Sequence, residues 1–568
     1  MTLRHGRAVL AAGVLLSAWL RLGGLDRESL WLDELYSVHV ATRSSWAELY
    51  ASLALDVHPP LWFALLHLLP EAGEAGWRVP SALVGVAGVV FAALLARRLA
   101  GGGVHGGRAM LLATGLVATA PSLVLIDREA RANAALSAIT LALIALYLRP
   151  EVRGSRVAMA LLAVIVVNLH PFGPFVLVGL AAFAWLDPGD GTELPLKHVL
   201  AIAAVGVVAI APWALSAGVG QVQGFAEDPW YAAPPGDSLG WVLRELSDGQ
   251  PGLLVVPLLG ITMGMQQAGA GERRALLLFA AFAAALVLLP QALSYGFTPV
   301  LRSRSALPLL PILLVAAAIG LARAGRVGAV LGALACAGQA LASWHATRVE
   351  TRLEQWREAA AFVAERATPA AVVIANHPDL WRVYLKEGVQ LAPLDNPGVD
   401  ASAELWVLLG HGAELPPGLS NLPVVEAAEF FGARALRLGG YSRVLKLDGV
   451  EPGLGTVAGQ TAQLWGAGTV ATEPLRLRGD CAVIVRAHED TAGTEAAELR
   501  VRLTRNDVAI LDDRLRVGGN PLETGRTLGL DDRTEVGELR ATVTFVNDAV
   551  VDGQDRNVYI DEVRAECR

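Results

Sequence analysis

The chain has 568 residues, of which 54% are hydrophobic and only 18% are charged, and its mean hydropathy is +0.46. This composition is too apolar for an ordinary soluble enzyme, and the length exceeds that of a single domain. The formal net charge of -8 provides no basic field for nucleic acid, so we expect no nucleic-acid partner. The sequence also lacks a Walker or dinucleotide-binding glycine fingerprint.

The apolar residues are concentrated in the first part of the chain. Up to about Trp344, runs of membrane-spanning length alternate with short polar connections, and no further run of that length follows Arg348. The sequence therefore predicts a membrane domain over residues 1–345, followed by a water-soluble tail. We count eleven candidate spans, at residues 8–22, 78–98, 109–125, 132–148, 155–169, 172–186, 197–216, 252–266, 275–292, 304–321 and 326–343.

Basic residues indicate on which side of the membrane each connection lies. Their clusters, such as Arg4 with Arg7 and Arg97 with Arg98, fall on one side of the predicted spans, which the positive-inside rule assigns to the cytoplasm. The first span has no cleavage site after it and is interpreted as uncleaved. The tail then lies outside, as do residues 23–77, 126–131, 217–251 and 293–303. We expect a multi-pass protein of a bacterial-type inner membrane with extracytoplasmic C-terminal domains.

The first external segment carries a concentration of chemically useful groups. Asp33 and Glu34 are adjacent carboxylates that follow Trp31, and His58 opens a His-Pro-Pro-Leu sequence just before the second span. A carboxylate at the membrane face could take a proton from an acceptor hydroxyl, while neighbouring groups position substrate or a divalent metal. The alternative interpretation is a solvated loop with an interfacial tryptophan.

Together these motifs resemble the superfamily of C-type membrane glycosyltransferases, which includes protein O-mannosyltransferases and the aminoarabinose transferases of lipid A. The resemblance covers residues 8–345. It rests on the Trp-x-Asp-Glu and His-Pro-Pro-Leu sequences and on three further stretches that lie near the external face: 127–131 (Asp-Arg-Glu-Ala-Arg), 170–173 (His-Pro-Phe-Gly) and 304–311 (Arg-Ser-Ala-Leu-Pro-Leu-Leu-Pro). Where the family often has tyrosine, this chain has Asn133, Pro171 and Ser305.

The resemblance implies a polytopic α-helical fold and a definite reaction. The donor would be a sugar linked to polyprenyl phosphate, and a glycan, lipid or protein would accept the hexosyl or pentosyl group. Asp33 would be the general base, with Glu34 and His58 as supporting groups, and His170 would orient the acceptor. The leaving lipid phosphate requires fixed cations, for which arginine is well suited. The candidates are Arg128, Arg131, Arg302 and Arg304, whose alternative role is to anchor the helix ends among membrane lipids.

The tail is predicted to contain two further domains. Residues 350–450 combine a helical pattern at Glu354–Arg366 with short apolar strands, including 371–375, 405–409 and 443–447, which is typical of a small α/β domain. Residues 455–568 change to the period-two pattern of a β-sandwich.

The end of this sandwich resembles calcium-dependent xylan-binding carbohydrate-binding modules. The resemblance covers about residues 460–568 and implies a calcium site formed by Asn547, Asp548, Asp555 and Asp561, because oxygen ligands suit a hard cation. A polar hairpin that binds nothing is the alternative. Cys481 and Cys567 both fall in this module, and whether they are bonded stays open, whereas Cys336 lies in the last predicted span.

Two other functions are compatible with the sequence. One is a non-catalytic, membrane-anchored carbohydrate-binding or assembly protein, in which the sandwich is the active part. The other is a transporter of lipid-linked sugars, but a transporter should carry ionisable residues in mid-span, whereas here they collect at the external ends.

Overall fold

The computed structural model describes residues 3–567 except for 55–57, 70–71, 188, 190–192, 219–235, 268, 297–299, 302, 370, 387, 395–403, 417–418, 420–423, 439–440, 474–479, 490–495, 506–507, 518–521, 530–538 and 552–553. The chain divides into two compact units, Met1–Leu353 and Glu354–Arg568.

The first unit is helical. Its helices are α1 (Leu3–Leu22), α2 (Leu32–Ala41), α3 (Trp46–Leu53), α4 (Leu61–His67), α5 (Gly73–Leu99), α6 (Gly103–Thr119), α7 (Pro121–Ile126), α8 (Asn133–Tyr147), α9 (Ser155–Leu169), α10 (Gly173–Leu186), α11 (Leu196–Trp213), α12 (Ser238–Leu246), α13 (Val255–Gln267), α14 (Ala270–Ala283), α15 (Leu289–Gly296), α16 (Leu309–Arg323) and α17 (Gly325–Arg348). Single π-helical turns, Ala214–Gly218 and Ala284–Leu288, follow α11 and α14. Short 3₁₀ turns occur at Pro251–Leu254 and Arg304–Ala306.

Each of the eleven predicted spans overlaps a described helix. Four helical segments are long and apolar enough to cross a membrane: Gly73–Leu99, Leu196–Ser216, Ala270–Gly296 and Gly325–Arg348. Six further apolar helices of the described chain have 10–17 residues. These helices support a multi-pass membrane protein, while the count of eleven spans stays a prediction.

The core of this unit is built where helices with small residues approach closely. Helix α5 packs against α6 and α8, and α16 packs against α6 and α13. At the last of these contacts, a Cβ atom on Gly320 would collide with the carbonyl oxygen of Gly260, so the two backbones can meet only because both positions are glycine. Small residues at such contacts are typical of membrane helices, where van der Waals packing replaces the hydrophobic effect.

The segment between α1 and α5 folds into three short helices, α2 to α4, which the sequence analysis treated as a loop. Helix α2 begins where Trp31 N donates to the Glu34 carboxylate at 3.4 Å. Ser45 caps α3 by accepting a hydrogen bond from Glu48 N. Trp46 and Tyr50 on α3 are exposed, as expected for a helix at a membrane interface. These helices bring the two motifs of the segment together.

The second unit begins with the predicted α/β part. Helix α18 (Trp356–Arg366) packs against a five-stranded sheet of order β2-β1-β3-β5-β4, where β1 is Val372–Ala375, β2 Gln390–Pro393, β3 Leu405–Gly410, β4 Val424–Phe430 and β5 Ala433–Leu438. Strands β1, β2 and β3 are parallel, and β4 and β5 add antiparallel pairs. A short helix, α19 (Pro378–Trp381), places Trp381 against Trp356 with ring centroids 4.3 Å apart.

The remaining strands form two facing sheets around one apolar core. They are β6 (Tyr441–Val444), β7 (Leu447–Asp448), β8 (Gly455–Ala458), β9 (Thr461–Leu464), β10 (Thr469–Thr472), β11 (Asp480–Glu489), β12 (Ala497–Arg505), β13 (Val508–Val517), β14 (Leu522–Gly529), β15 (Leu539–Phe545) and β18 (Val558–Cys567), with β16 (Val550–Val551) and β17 (Gln554–Asp555) as a separate hairpin. One sheet has the order β13-β12-β15-β10-β7 and the other β14-β11-β18-β9-β8, with β6 also paired to β18.

In this region the pairing of two strands differs from the prediction, and the strand register relates two cysteines. Residues 443–447 were assigned to the α/β part, but β6 pairs with β18 and β7 with β10, so both strands belong to the sandwich. The register of β11 and β18 sets Cys481 directly opposite Cys567. The side chains of these two cysteines lie outside the described part of the structure, so their bonding stays a prediction. Cys336 is a free cysteine in α17.

Candidate active site

The two motifs of the segment between α1 and α5 meet at Arg131. Its Nη2 lies 3.5 Å from Asp33 Oδ2 and donates to His58 Nε2 at 3.2 Å. Its Nη1 donates to the Asp33 carbonyl oxygen and to Ser37 Oγ, both at 3.2 Å. The Asp33 side chain is still 36% exposed. The structure thus brings together three of the predicted site residues around a partly exposed carboxylate.

Glu34, the neighbour of Asp33, is fully buried. Its Oε1 accepts from Arg78 Nε and from Ala130 N, both at 2.7 Å, and its Oε2 accepts from Arg78 Nη2. Because Arg78 begins the membrane part of α5 and Ala130 lies between α7 and α8, this carboxylate joins three elements. Glu34 is therefore a positioning residue that holds the start of α2, and with it Asp33, in place.

Asp33 and Glu34 by themselves do not form a site for the predicted divalent metal, which stays a prediction. Both oxygens of Glu34 accept hydrogen bonds inside the protein, and Asp33 faces the guanidinium of Arg131. These two side chains therefore do not provide the several open oxygens that a hard cation requires. No step of the chemistry proposed below passes through a metal.

His170 lies behind His58, with ring centroids 6.3 Å apart. It is buried, its Nε2 is 3.2 Å from Asn133 Oδ1, and its Nδ1 accepts from Phe172 N at 3.0 Å. Both ring nitrogens are thus held by the protein. His170 is therefore a buried neighbour of His58, and its role in orienting the acceptor stays a prediction.

The predicted phosphate-binding arginines have different environments. Arg128 donates to the carbonyl oxygens of Leu20, Arg21, Gly23 and Gly24, which caps the end of α1. Burial lowers the pKa of Arg128 to about 10, so it stays charged at neutral pH. Arg304 Nη1 lies 2.9 Å from a Glu129 oxygen, and its guanidinium stacks 4.6 Å above the Trp31 ring. Arg302 lies outside the described residues.

A polar cavity of about 270 Å³ adjoins this cluster. Its lining includes five arginines, Arg78, Arg128, Arg244, Arg304 and Arg352, and four acidic residues, Glu28, Glu129, Glu245 and Asp248. Asp248 holds Arg352 at 2.6 Å, and Glu245 lies 3.6 Å from Arg304. Arg244 is exposed at the rim. Arg244 belongs to none of the motifs, although an arginine in a segment predicted to be external is the signal that could have identified it.

Glu129 is the most strongly perturbed acid of the cavity. Burial raises its pKa to about 7, against the opposing effect of Arg304, and the nearby charges of Glu34 and Asp33 raise it further. The influence of Asp33 also indicates that the exposed carboxylate and the arginine-lined cavity are electrostatic neighbours. Perturbed acids of this kind are concentrated at functional sites.

The predicted calcium ligands do not assemble into one set. Asn547 accepts from Glu498 N and donates to Ala496 O, which ties the connection after β15 to β12. Asp561 pairs with His488 at 2.9 Å, while Asp548 and Asp555 are exposed. Among the described residues, no group of three or more His, Cys, Asp or Glu side chains could hold a metal ion. Calcium binding and the carbohydrate-binding role stay predictions.

No family model and no curated protein matches the chain. Among solved structures, the chain is similar to ArnT from Cupriavidus metallidurans bound to undecaprenyl phosphate, with a TM-score of 0.50, 14% identity, and coverage of 77% of this chain and 98% of that one. The apo state of the same protein gives a TM-score of 0.51 with the same identity and coverage. The Archaeoglobus fulgidus oligosaccharyltransferase has a TM-score of 0.40 at 13% identity, covering 69% and 64%. The chain therefore shares the fold of ArnT over 77% of its length.

Proposed function

We propose that this protein is a glycosyltransferase that moves a sugar from a polyprenyl-phosphate donor to an extracytoplasmic glycan, lipid or protein, with Asp33 as the general base. The observation that carries the proposal is the half-exposed Asp33 carboxylate, fixed by Arg131 beside His58. The ArnT structure that shares this fold contains undecaprenyl phosphate, which supports a lipid phosphate as the carrier here.

The chemistry needs a base on one side of the anomeric carbon and a cation on the other. The acceptor hydroxyl oxygen attacks the anomeric carbon as its proton moves to Asp33, and the bond between that carbon and the phosphate oxygen breaks. The electron pair leaves with the lipid phosphate. Guanidinium groups suit this developing charge because they are planar and stay protonated.

An arginine that binds the lipid phosphate must have a guanidinium group that a ligand can reach. Arg128 donates to backbone carbonyls, and Arg78 is buried against Glu34, so both serve the frame of the site. Arg304 is 37% exposed and Arg244 is exposed at the cavity rim, and both line the cavity. We therefore assign the phosphate to Arg304 and Arg244, and the base to Asp33.

The test is Asp33→Asn in purified full-length protein, incubated with a panel of polyprenyl-phosphate sugars while release of the lipid phosphate is followed. Loss of a general base typically costs about 100-fold to 10,000-fold in rate, and the amide keeps the shape of the side chain. Donor binding, measured as a thermal shift, should persist. The matched control is Asp26→Asn, which removes an exposed carboxylate from the same segment. Wild-type turnover in a folded Asp33→Asn preparation would show that another group is the base.

A further inference from the structure

A second cavity, far from Asp33, lies in the membrane part of the first unit. It has a volume of about 390 Å³ and is formed by α5, α8, the connection that follows α8, and α9. Apart from Arg98 and Arg149, its lining consists of Val, Ala, Leu, Ile and Phe side chains, with Phe91 among the largest. The volume falls within the range of ligand sites, and the lining is suited to a hydrocarbon chain.

The cavity is an elongated groove along α5. The α5 residues that line it run from Val84 to Arg98 at helical spacing and so share one face. Fourteen residues separate these two positions, which at 1.5 Å per residue corresponds to a groove of roughly 21 Å. This is the scale of one extended acyl chain. Because the hydrocarbon core is about 30 Å thick, such a chain would cross its own leaflet and pass the midplane of the bilayer.

Two arginines mark one end of this groove. Arg98 Nε donates to the carbonyl oxygen of Leu148 at 3.1 Å, which fixes the guanidinium at the end of α5 beside Arg149. Twenty residues of α5 separate Arg98 from Arg78, which is roughly 30 Å along the helix and close to the thickness of the hydrocarbon core. The charged end therefore lies at the membrane face opposite the candidate active site, the face that the positive-inside rule assigns to the cytoplasm.

We propose that this groove binds an anionic phospholipid of the cytoplasmic leaflet, with one acyl chain between α5 and α8 and the phosphate at Arg98 and Arg149. Charge complementarity favours an anionic lipid for these two guanidinium groups. The phosphate of a zwitterionic lipid is partly neutralised by the lipid's own amine and would bind them more weakly. A polyprenyl-phosphate donor is disfavoured, because its phosphate must lie at the opposite face for the reaction proposed above.

The experiment compares dioleoyl phosphatidylglycerol with dioleoyl phosphatidylcholine, which have the same chains and different head groups. Full-length protein in detergent is titrated with each lipid, and retained lipid is counted by native mass spectrometry alongside the thermal shift. We expect one strongly retained phosphatidylglycerol, a larger thermal shift than with phosphatidylcholine, and at least a tenfold loss of retention in the double variant Arg98→Gln/Arg149→Gln.

Two further variants make the result specific to the groove. Arg153→Gln removes an exposed arginine from the same connection without touching the lining, and it should retain the lipid as the wild type does. Ala145→Phe fills the groove, keeps both arginines and should lose the lipid. Equal retention of the two phospholipids, or an equal loss in Arg153→Gln, would overturn the proposal. Preferential retention of undecaprenyl phosphate over phosphatidylglycerol would overturn it too. None of these readouts depends on sugar transfer, so they stand apart from the test of Asp33.

Discussion

Asp33 and Glu34 are chemically alike and adjacent, yet the structure gives them opposite environments. Successive residues of a helix point about 100° apart, so at the start of α2 one carboxylate faces solvent while the other enters the protein interior. The buried one meets Arg78, 44 positions away along the chain. In the proposed mechanism this difference separates the two roles: Asp33 is the proposed base, and Glu34 holds the start of α2 through its buried contacts.

We expect Glu34→Gln to destabilise the protein while Asp33→Asn leaves its stability near that of the wild type. Glu34→Gln removes the charge that neutralises buried Arg78, and breaking a buried ion pair typically costs about 3–5 kcal/mol. Thermal unfolding of both variants in detergent measures the difference. If Glu34→Gln unfolds at the wild-type temperature but fails to turn over, Glu34 acts in the chemistry and not as a positioning residue.

The raised pKa of Glu129 predicts a pH-dependent contribution to stability. Its pKa in the folded state, about 7, exceeds the usual value of 4.5, so the folded state binds this proton more tightly than the unfolded state. The resulting contribution is fully present below about pH 4.5 and is lost as the pH rises through about 7. We therefore expect the unfolding temperature of the wild type to fall relative to that of Glu129→Gln as the pH rises from about 5 to about 8. Parallel curves would contradict the raised pKa.

The site residues illustrate what a sequence can predict at this scale. Asp33, Arg131 and His58 were named from motifs and do meet in the structure, although they are separated by up to 98 positions. Their roles could not be predicted, because burial and hydrogen-bond partners follow from packing between distant elements. Arg128 belongs to the same motif as Arg131, yet it caps α1.

Helix α12 contributes charged residues to the lining of the cavity. Arg244 and Glu245 are on this helix, and Asp248 follows it. Its residues Leu239, Trp241 and Leu243 are exposed, as expected for a helix anchored in the membrane interface. The helix therefore combines an exposed apolar side with charged residues that line the cavity.

We expect Arg244→Gln to weaken donor binding more than it slows turnover at saturation. Hydrogen bonds to charged groups contribute about 1.5–3 kcal/mol, which corresponds to roughly tenfold to hundredfold in affinity. The measurement is the donor KM in the lipid-phosphate release assay. Arg273→Gln, an exposed arginine at the start of α14, is the matched control and should leave KM unchanged. A donor KM that is the same for Arg244→Gln and the wild type would remove Arg244 from the site.

Local patterns predicted elements well where pairing partners are close in the chain and poorly where they are distant. The apolar runs identified the helices because each satisfies its own backbone hydrogen bonds. Strands β6 and β7 were assigned to the α/β domain instead of the sandwich. Their partners, β18 and β10, follow later in the chain, and the pairing forms only when the sandwich folds. The helices α2 to α4 were missed because they are short and amphipathic, and their stability comes from packing more than from propensity.

At the scale of the whole molecule, short motifs predicted the fold, although comparison of the whole sequence with known families found no match. The similarity to ArnT is only 14% in identity, yet it covers 98% of that chain. Such a fold can persist because packing needs apolar residues of suitable size more than particular ones. What the sequence could not provide is the number of spans, since several helices of the described chain are shorter than a bilayer requires.

The topology is open to a direct test. The predicted topology, with a cytoplasmic N-terminus and eleven spans, puts the second unit outside, so we expect a reporter fused after residue 345 to be active in the extracytoplasmic compartment. A fusion in the connection between α5 and α6 is the control and should report from the cytoplasm. A cytoplasmic signal from the fusion after residue 345 would contradict the odd number of spans.

The position of β18 has a consequence for biosynthesis. This strand lies in the middle of its sheet, between β11 and β9, although it is translated after both of them. While the ribosome is still adding these residues, the edges of β9 and β11 are exposed, and unpaired edges invite aggregation and proteolysis. The sandwich thus cannot mature co-translationally strand by strand. A nonsense codon just before residue 558 would leave it permanently open, and we expect proteases to degrade such a truncated product.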